Sequence, residues 1–412
     1  MNNKIKAFVT SFISQLLIFT LLMSFLSFSY VSGTAHAKAL TDISADAAVL
    51  MEGSTGTIIY EKDKDKELIP ASITKIMTLI LIFEAIDSGK LSLNDEVSVS
   101  EYAASMGGSQ VFLEAGEKQS VDTMIKCISI ASANDACVAM AERIAGNEQT
   151  FVDMMNEKAA SLNMKHTHFM NCNGLDDSIK SGHYTSALDV AIMSRELITK
   201  HPEIEKYSTV WMDTITHTNH KGVKSEFGLT NTNKLVRTYN GITGLKTGST
   251  KKARYCLSAT ARRNNTDIIA VVMGAPDPKA RFSLAASLLD YGFTNTEKYI
   301  DEYKDLALQP IPVKGSLTKG INIWPKEPFK HIFTNGEDTS LIKRNVKLPE
   351  SLNAPVKQGD IIGQIDYDYG GNIIGSISLI AKNEAPKSSF MDCFEAIICK
   401  YFKLWELQIT YH

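Results

Sequence analysis

The stretch from Ser72 to Gly89 constrains the fold of this chain more than any other part of the sequence. A helix over this stretch is apolar on nearly every face, because hydrophobic residues stand at Ile73, Ile76, Met77, Ile80, Phe83 and Ile86 and also at Leu79, Leu81 and Ile82. Such a helix is buried in a protein core, and this one is too short to span a bilayer. Pro70 and Ser72 mark its start, and Gly89 marks its end. The sequence therefore predicts a folded domain built around a buried helix.

Strand and helix patterns around this helix predict one sheet with helices packed on it. Two short apolar runs, 47–52 and 57–60, flank Gly53-Ser-Thr-Gly56 and predict a hairpin. Helical spacing follows over residues 121–130, 135–145, 150–162 and 185–200, where Thr185 or Ser186 can cap the last helix. Strand-like runs at 255–261 and 267–273 and a helix over 280–291 complete this part. The order of strand, helices, strands and helix is typical of an α/β (α+β) domain, expected over residues 38–296.

The first 37 residues have the pattern of a secretory signal peptide. Lys4 and Lys6 precede an apolar run over residues 8–30, and Ala35-His36-Ala37 supplies a small-x-small cleavage site. We expect cleavage after Ala37 and an exported protein, with an uncleaved anchor as the alternative. The full chain has 43 basic and 46 acidic residues and a net charge of −3. Because the chain has no basic field for a phosphate backbone, nucleic acid is not an expected partner.

The character of the sequence changes beyond residue 297, where seven of the eleven prolines lie. Short β-like runs at 360–365 and 373–380 alternate with Gly and Asn turns, so residues 297–386 are expected to form a small all-β domain. Residues 387–412 then place apolar side chains on one helical face, at Phe390, Met391, Phe394, Ile397, Ile398, Tyr401, Phe402 and Trp405. Charged residues on the other side exclude a spanning helix, whereas the aromatic residues suit a bilayer interface. We expect this amphipathic helix to anchor the protein to a membrane surface, with docking on the protein's own surface as the alternative.

The cysteines form no CxxC pair and no regular framework; they are Cys127, Cys137, Cys172, Cys256, Cys393 and Cys399. Each sits beside apolar residues and is expected to be a free, buried thiol. The histidines lack the Cys or carboxylate partners of a metal site at ligand spacing. We therefore expect no metal and no cofactor.

Three short motifs indicate the chemistry. Ser72-Ile-Thr-Lys75 places a hydroxyl and an amine on one face of the buried helix, where a lysine with a lowered pKa can act as base for a nucleophilic serine. Ser132-Ala-Asn134 alone is a polar turn between helices. Lys246-Thr-Gly248 alone is a glycine-containing turn that can bind an anion. In the order SxxK, SxN, KTG they match the set found in class A β-lactamases and penicillin-binding proteins.

At these residues the chain resembles the low-molecular-mass penicillin-binding proteins of the D-alanyl-D-alanine carboxypeptidase type, which are serine peptidases. The resemblance covers roughly residues 40–385 and extends to the segments 70–78, 107–117, 183–189, 241–249 and 290–293. It implies a penicillin-recognising, β-lactamase/transpeptidase-like domain with an antiparallel sheet flanked by helices, a β-rich second domain and an amphipathic C-terminal helix.

The resemblance also implies the reaction and the partners. Such an enzyme removes the terminal D-alanine from peptidoglycan stem pentapeptides and so limits cross-linking of the cell wall. Its expected partners are a stem peptide ending in D-Ala-D-Ala, β-lactam antibiotics as covalent inhibitors, and the membrane surface. We expect a peripheral protein on the outer face of the cytoplasmic membrane, with secretion as the alternative.

The resemblance assigns catalytic roles to residues of all three motifs. Ser72 would attack the carbonyl between the two terminal D-alanines and form an acyl-enzyme that water hydrolyses. Lys75 would be the base for Ser72. Ser132, with Lys246 close by, would relay the proton to the leaving amine. Asn134 would hydrogen-bond the substrate's peptide carbonyl or help to hold Lys75.

Substrate binding would fall to Lys246, Thr247 and Gly248 and to Ser249, which follows them. Lys246 and Thr247 would bind the free carboxylate that makes the substrate a C-terminus. The backbone N–H groups of Ser72 and Ser249 would hold the oxyanion of the intermediate.

Three positions depart from the family pattern. Thr232 stands between two asparagines where some relatives have an arginine, so carboxylate recognition would rest more heavily on Lys246 and Thr247. Arg254 stands where the family often has glycine, which leaves the local strand geometry open. Ser249 stands where some relatives have histidine.

Two rival functions share the predicted fold. A β-lactamase of class A deacylates with a glutamate in an ExxxN motif, and no glutamate between Ser132 and Lys246 has an asparagine four residues later. A non-catalytic, membrane-bound sensor would not need a nucleophile and its base. The sequence therefore favours the carboxypeptidase.

Overall fold

The computed structural model describes residues 43–176, 181–218, 222–334 and 337–409, with side chains described as far as Tyr401. The predicted signal peptide, residues 1–37, lies outside the described residues. Strands in the first part are β1 (Ala47–Glu52), β2 (Ile58–Lys62), β3 (Glu96–Ser98), β4 (Lys118–Ser120), β5 (Met212–Thr218), β6 (Lys224–Thr230), β7 (Ile242–Thr250), β8 (Arg254–Arg263) and β9 (Thr266–Ala275). Helices there are α1 (Lys75–Asp87), α2 (Glu101–Ala104), α3 (Val121–Ser129), α4 (Asn134–Ala145), α5 (Glu148–Ser161), α6 (Ala187–Lys200), α7 (Glu205–Ser208), α8 (Leu235–Thr238) and α9 (Pro278–Asn295).

A five-stranded antiparallel sheet organises this part, in the order β2-β1-β9-β8-β7. Its register pairs Val49 with Val271 and Ala259 with Ala270. Strand β9 is buried continuously from Ile268 to Ala275. Because successive side chains of a strand point to opposite faces, this burial means that both faces of the sheet are covered. Helices α6 and α9 both contact β9.

The helix that the sequence places in the core is confirmed. Helix α1 is buried without interruption from Lys75 to Phe83. Its start differs from the prediction, because Ala71–Thr74 form a 3₁₀ turn and the regular helix begins at Lys75. Ser72 stands inside the turn, whose N-cap position is Pro70, so its hydroxyl does not have the capping role that a serine usually plays at a helix start.

Two predictions from local patterns have opposite outcomes. The predicted cap of α6 is confirmed, since the Asp189 N–H donates to Ser186 Oγ at 3.1 Å. The sequence patterns missed the hairpin β5–β6 and strand β7. Lys246-Thr-Gly248, which alone reads as a turn, lies in the middle of β7. Pairing with β8, in which Lys246 faces Ser258, overrides the low strand propensity of this glycine-containing segment.

In the described residues between α9 and the last helix, strands and turns alternate, and a short 3₁₀ turn lies at Thr339–Leu341. The strands are β10 (Glu297–Asp301), β11 (Ile311–Lys314), β12 (Gly320–Ile321), β13 (Ile323–Pro325), β14 (Phe329–Phe333), β15 (Lys343–Lys347), β16 (Leu352–Asn353), β17 (Ile361–Tyr369) and β18 (Asn372–Ala381). They pair as β10-β14, β12-β11-β16 and β13-β18-β17-β15. Phe329 and Tyr367 stack in their core with ring centroids 3.6 Å apart. The expected all-β region is confirmed.

The described chain ends in α10 (Phe390–Ile409). The apolar side chains expected on one face are exposed to solvent as far as they are described, at Phe390, Met391, Phe394, Ile397, Ile398 and Tyr401. Among the helices of the described ranges, none has the length and apolar character needed to cross a membrane. The expected overall fold, an antiparallel sheet flanked by helices, then an all-β region and a C-terminal helix, is confirmed.

All six cysteines are unpaired, as expected. The expectation that each is buried is correct for four of them and wrong for Cys393 and Cys399. Both exposed thiols lie on α10, whose side chains have no core to enter.

Candidate active site

Ser72 and Lys75 meet where the 3₁₀ turn passes into α1. Lys75 Nζ lies 3.1 Å from Ser72 Oγ and donates to Asn134 Oδ1 and to the carbonyl of Asn173, each at 2.6 Å. The Lys75 side chain is fully buried, and this burial lowers its pKa. A buried amine with a lowered pKa, in contact with a half-buried hydroxyl, is the arrangement that activates a serine.

A chain of hydrogen bonds holds the turn that carries Ser72. Ala71 adopts a left-handed conformation, with φ of +48°, and its carbonyl accepts from Thr74 Oγ1 at 2.8 Å. His183 Nε2 lies 2.9 Å from Thr74 Oγ1, and His183 Nδ1 accepts from the Met170 N–H at 2.9 Å. Burial lowers the pKa of His183 to about 4, so the ring is neutral at pH 7. With Nδ1 accepting, the ring proton is on Nε2 and points to Thr74.

The segment from Asn171 to Leu175 approaches the same turn from the other side. Besides the carbonyl of Asn173, it brings Gly174 against Ala71 at a φ of +84°. A Cβ at Gly174 would lie 1.9 Å from the carbonyl oxygen of Ala71, so only glycine fits. Hydrogen bonds from the N–H groups of Asn173 and Gly174 to Asn171 Oδ1 shape this segment.

A second serine and lysine face each other beside the first pair. Lys246 Nζ lies 2.8 Å from Ser132 Oγ and 3.1 Å from the carbonyl of Thr247. Burial, and secondly the charge of Lys75, hold the pKa of Lys246 well below its ordinary value. Ser132 is only 3% exposed, whereas Ser72 is half-buried, so an incoming molecule reaches Ser72 more easily.

Strand β7 forms the wall opposite the Ser72 turn and is the edge strand of the sheet. A Cβ at Gly248 would lie 2.7 Å from the carbonyl oxygen of Pro70, so glycine allows the strand to pack directly against the turn. The carbonyl of Gly248 accepts from Arg281 Nη1 at 3.2 Å. Thr247 Oγ1 lies 2.7 Å from Thr232 Oγ1, and Ser249 is exposed at the end of the wall.

The structure brings the three motifs together and accounts for one departure from the family pattern. Arg254 keeps its place opposite Thr250 in the sheet by adopting a left-handed conformation, with φ of +56°, and pairs with Asp46. That conformation is the one that glycine adopts without strain. Strand geometry is therefore retained despite the arginine.

Four residues that hold the site were not predicted as site residues: Asn173, Gly174, His183 and Arg281. The Asn-Cys-Asn-Gly run at 171–174 carries a turn signal, yet nothing local shows that its carbonyl reaches a lysine 98 residues away. No group of three or more His, Cys, Asp or Glu side chains within the described ranges is placed to hold a metal ion.

Two family models match the chain. The model described as D-alanyl-D-alanine carboxypeptidase matches residues 33–277, which is more than half of the chain. The model described as penicillin-binding protein 5, C-terminal domain, matches residues 303–387.

Individual proteins agree with these matches. The chain is 39% identical over 379 residues to the D-alanyl-D-alanine carboxypeptidase DacF of Bacillus subtilis, covering 92% of this chain and 95% of the relative. It is 30% identical to DacC of Escherichia coli, covering 88% and 90%. The crystal structure of penicillin binding protein 5 from Haemophilus influenzae superposes with a TM-score of 0.72 at 30% identity, covering 84% of this chain and 98% of that one. The family that the three motifs predict is confirmed, and the chain belongs to the D-alanyl-D-alanine carboxypeptidase family.

Proposed function

We propose that this protein is a serine-type D-Ala-D-Ala carboxypeptidase that works through an acyl-enzyme on Ser72. The observation that carries the proposal is the contact of 3.1 Å between Ser72 Oγ and the buried amine of Lys75. Its substrate is the peptidoglycan stem pentapeptide, from which it removes the terminal D-alanine and so limits cross-linking. Penicillins acylate the same serine.

Acylation begins with attack of Ser72 Oγ on the carbonyl carbon between the two D-alanines. Neutral Lys75 takes the hydroxyl proton, and the C–N bond then breaks as the leaving nitrogen gains a proton through Ser132. Water hydrolyses the resulting ester and frees Ser72. The backbone N–H groups of Ser72 and Ser249 stabilise the oxyanion, a contribution of about 3–4 kcal/mol for each well-placed donor.

The substrate's carboxylate and the two buried lysines are linked electrostatically. The charge of Lys75 contributes to the lowered pKa of Lys246, because a buried site accommodates one positive charge more readily than two. A carboxylate bound by Lys246 and Thr247 raises the pKa of Lys246 and favours the proton there. Lys75 then remains neutral and able to act as a base. This coupling explains how a cation and a neutral base can occupy neighbouring positions in one site.

The edge strand gives the substrate a second point of attachment. A peptide lying along β7, the edge strand of the sheet, past Gly248 and Ser249, can hydrogen-bond the main chain as an added strand. Asn134 Oδ1 already accepts a hydrogen bond from Lys75 Nζ. The substrate is therefore positioned by β7 and by Lys246.

The tail supports a location at the membrane surface. Its described apolar side chains face solvent, whereas Asp392, Glu395 and Cys399 on the other side line a cavity with residues 316–318. An amphipathic helix in this orientation suits the boundary between headgroups and acyl chains. The proposal includes export by the cleaved signal peptide 1–37, a catalytic domain over 38–296, a β domain over 297–386 and anchoring by 387–412.

Release of D-alanine tests the proposed reaction. Protein lacking residues 1–37 and the tail should release D-alanine from a pentapeptide ending in D-Ala-D-Ala, and Ser72→Ala should not. No release by the wild type, or equal release by the variant, refutes the assignment.

Labelling with a fluorescent penicillin separates the carboxypeptidase from a β-lactamase. The proposal expects a long-lived adduct, whereas rapid hydrolysis of the antibiotic would favour the β-lactamase. For the tail, a version truncated after Pro386 should leave the membrane fraction of expressing cells, and its retention there contradicts anchoring by α10.

A further inference from the structure

One buried carboxylate beside the site takes no part in the proposed chemistry. Asp135, the second residue of α4, is 1% exposed. Its Oδ2 accepts from the N–H groups of Val111 and Leu113, each at 3.1 Å, and its Oδ1 accepts from Ala136 N–H at 2.9 Å. Burial raises the pKa of Asp135, and these N–H groups oppose the rise. The carboxylate therefore fastens residues 107–113 to the start of α4.

Residues 107–113 touch Asn134 at two points. The Asn134 N–H donates to the carbonyl of Ser109, and Asn134 Nδ2 donates to the carbonyl of Gly107, each at 2.7 Å. Because Nδ2 points to Gly107, Oδ1 points to Lys75 Nζ, which it meets at 2.6 Å. The reversed amide would set Oδ1 against a carbonyl and Nδ2 against an amine, so both contacts would be lost.

The segment is held in a conformation that it would not adopt alone. Phe112 lies between the two residues that donate to Asp135, has a φ of +61° and is 61% exposed. A left-handed conformation is costly for a bulky residue, and the ring, which meets Phe227 edge-on with centroids 5.9 Å apart, stays largely exposed. The hydrogen bonds from Val111 and Leu113 to Asp135, on either side of Phe112, help to keep this shape.

We infer that Asp135 is a positioning residue that fixes the amide orientation of Asn134 through residues 107–113, and thereby keeps Lys75 aimed at Ser72. The inference rests on the proposed role of Lys75 as the base. Acylation of Ser72 is the step that it affects, because Lys75 must lie within reach of the hydroxyl when the bond forms.

A double-mutant cycle on the acylation rate constant tests the inference, with a fluorescent penicillin as the probe. Asp135→Asn should slow acylation about tenfold or more, because one of the two oxygens becomes an N–H₂ group that faces backbone N–H donors, either those of Val111 and Leu113 or that of Ala136. Asn134→Ala should also slow it, and Asp135→Asn added to Asn134→Ala should slow it no further. Multiplied losses in the double variant, or acylation of Asp135→Asn at the wild-type rate, overturn the inference. Absence of labelling in the wild type would instead refute the proposed function.

Two further variants distinguish a positioning role of Asp135 from an effect of its charge and from an effect on the stability of the whole protein. Gly108→Ala keeps the carboxylate but places a Cβ 2.9 Å from Asn134 Nδ2, so it should slow acylation in the wild type and not in Asn134→Ala. If Asp135→Asn does not fold, Gly108→Ala serves as the test variant in its place. Acylation of Gly108→Ala at the wild-type rate overturns the inference.

Asp189→Asn is the matched control. Asp189 is 2% exposed, accepts from the His166 N–H and Thr167 Oγ1 at 2.8 Å, and has a pKa that burial raises. Asp189→Asn should lower the melting temperature about as much as Asp135→Asn does. Its acylation rate should stay within about twofold of the wild type. An equal loss of acylation in both variants shows that destabilisation alone explains the effect and refutes the inference.

Discussion

Replacing Gly174 by alanine tests whether acylation requires the observed position of the turn that carries Ser72. Gly174 has a φ of +84°, and a Cβ there would lie 1.9 Å from the carbonyl oxygen of Ala71. Gly146 provides the matched control, because its φ is +83° and a Cβ there would meet nothing within 4 Å. Both substitutions strain the backbone by about 1–2 kcal/mol, and only the first creates a clash.

The size of the clash sets the expected loss of activity. To reach a tolerable separation of 3.0 Å from 1.9 Å, the Ala71 carbonyl or the segment at Gly174 must move by about 1 Å. Ala71 directly precedes Ser72, and Asn173, which directly precedes Gly174, holds Lys75. Misplacement of reacting groups by about 1 Å costs on the order of 10²-fold in rate.

The assay is the second-order rate constant for acylation by a fluorescent penicillin, with the melting temperature measured on the same samples. Gly146→Ala should melt a few degrees lower and acylate within about twofold of the wild type. Gly174→Ala should acylate about 100-fold more slowly or worse. Acylation of Gly174→Ala at the rate of Gly146→Ala would refute the reasoning, because the turn would then tolerate displacement.

Three other predictions follow from the buried lysines and the tail. Acylation by the wild type should rise with pH through the lowered pKa of Lys75 and level off below 10.5, since neutral Lys75 is the base; a rise continuing beyond 10.5 contradicts this role. The folded protein lowers the pKa of Lys246, so Lys246 destabilises the fold. This destabilisation is greatest at pH values below the lowered pKa and fades as the pH rises towards 10.5. Lys246→Met should therefore raise the melting temperature at pH 7, by about 2–4 °C per kcal/mol, and a gain that grows with pH would be the wrong sign. Phe394→Ser with Ile397→Ser should weaken binding to phosphatidylglycerol-containing vesicles at least about tenfold, whereas Glu395→Ser should not, and equal effects contradict the assigned face.

Local periodicity explains why the core helix and the first motif could be predicted. The apolar pattern that follows Ser72 repeats with the helical period, and burial of α1 follows from it directly. Within such a helix, a serine and a lysine three residues apart share a face, independently of the rest of the fold. Predictions of this kind depend on residues that are close together in the sequence, so they require no knowledge of the tertiary fold.

Long-range partners explain what could not be predicted. Strand β7 contains Gly244 and Gly248, whose low strand propensity is outweighed by pairing with β8 and packing against Pro70. The acceptors of Lys75 at Asn134 and Asn173 come from segments 59 and 98 residues away. Their convergence is a product of the tertiary fold, and no local pattern reports it.

The most direct test of the central claim is to locate the covalent adduct that penicillin leaves. Ser72 and Ser132 both have a lysine amine within hydrogen-bond distance, at 3.1 Å and 2.8 Å, so either hydroxyl has a base at hand. Tryptic digestion separates them, because Ser72 lies on the peptide 67–75 and Ser132 on the peptide 127–143. Mass spectrometry should find the penicilloyl group on 67–75 in the wild type and no adduct in Ser72→Ala. An adduct on 127–143, or one that persists in Ser72→Ala, would contradict the assignment of Ser72 as the nucleophile.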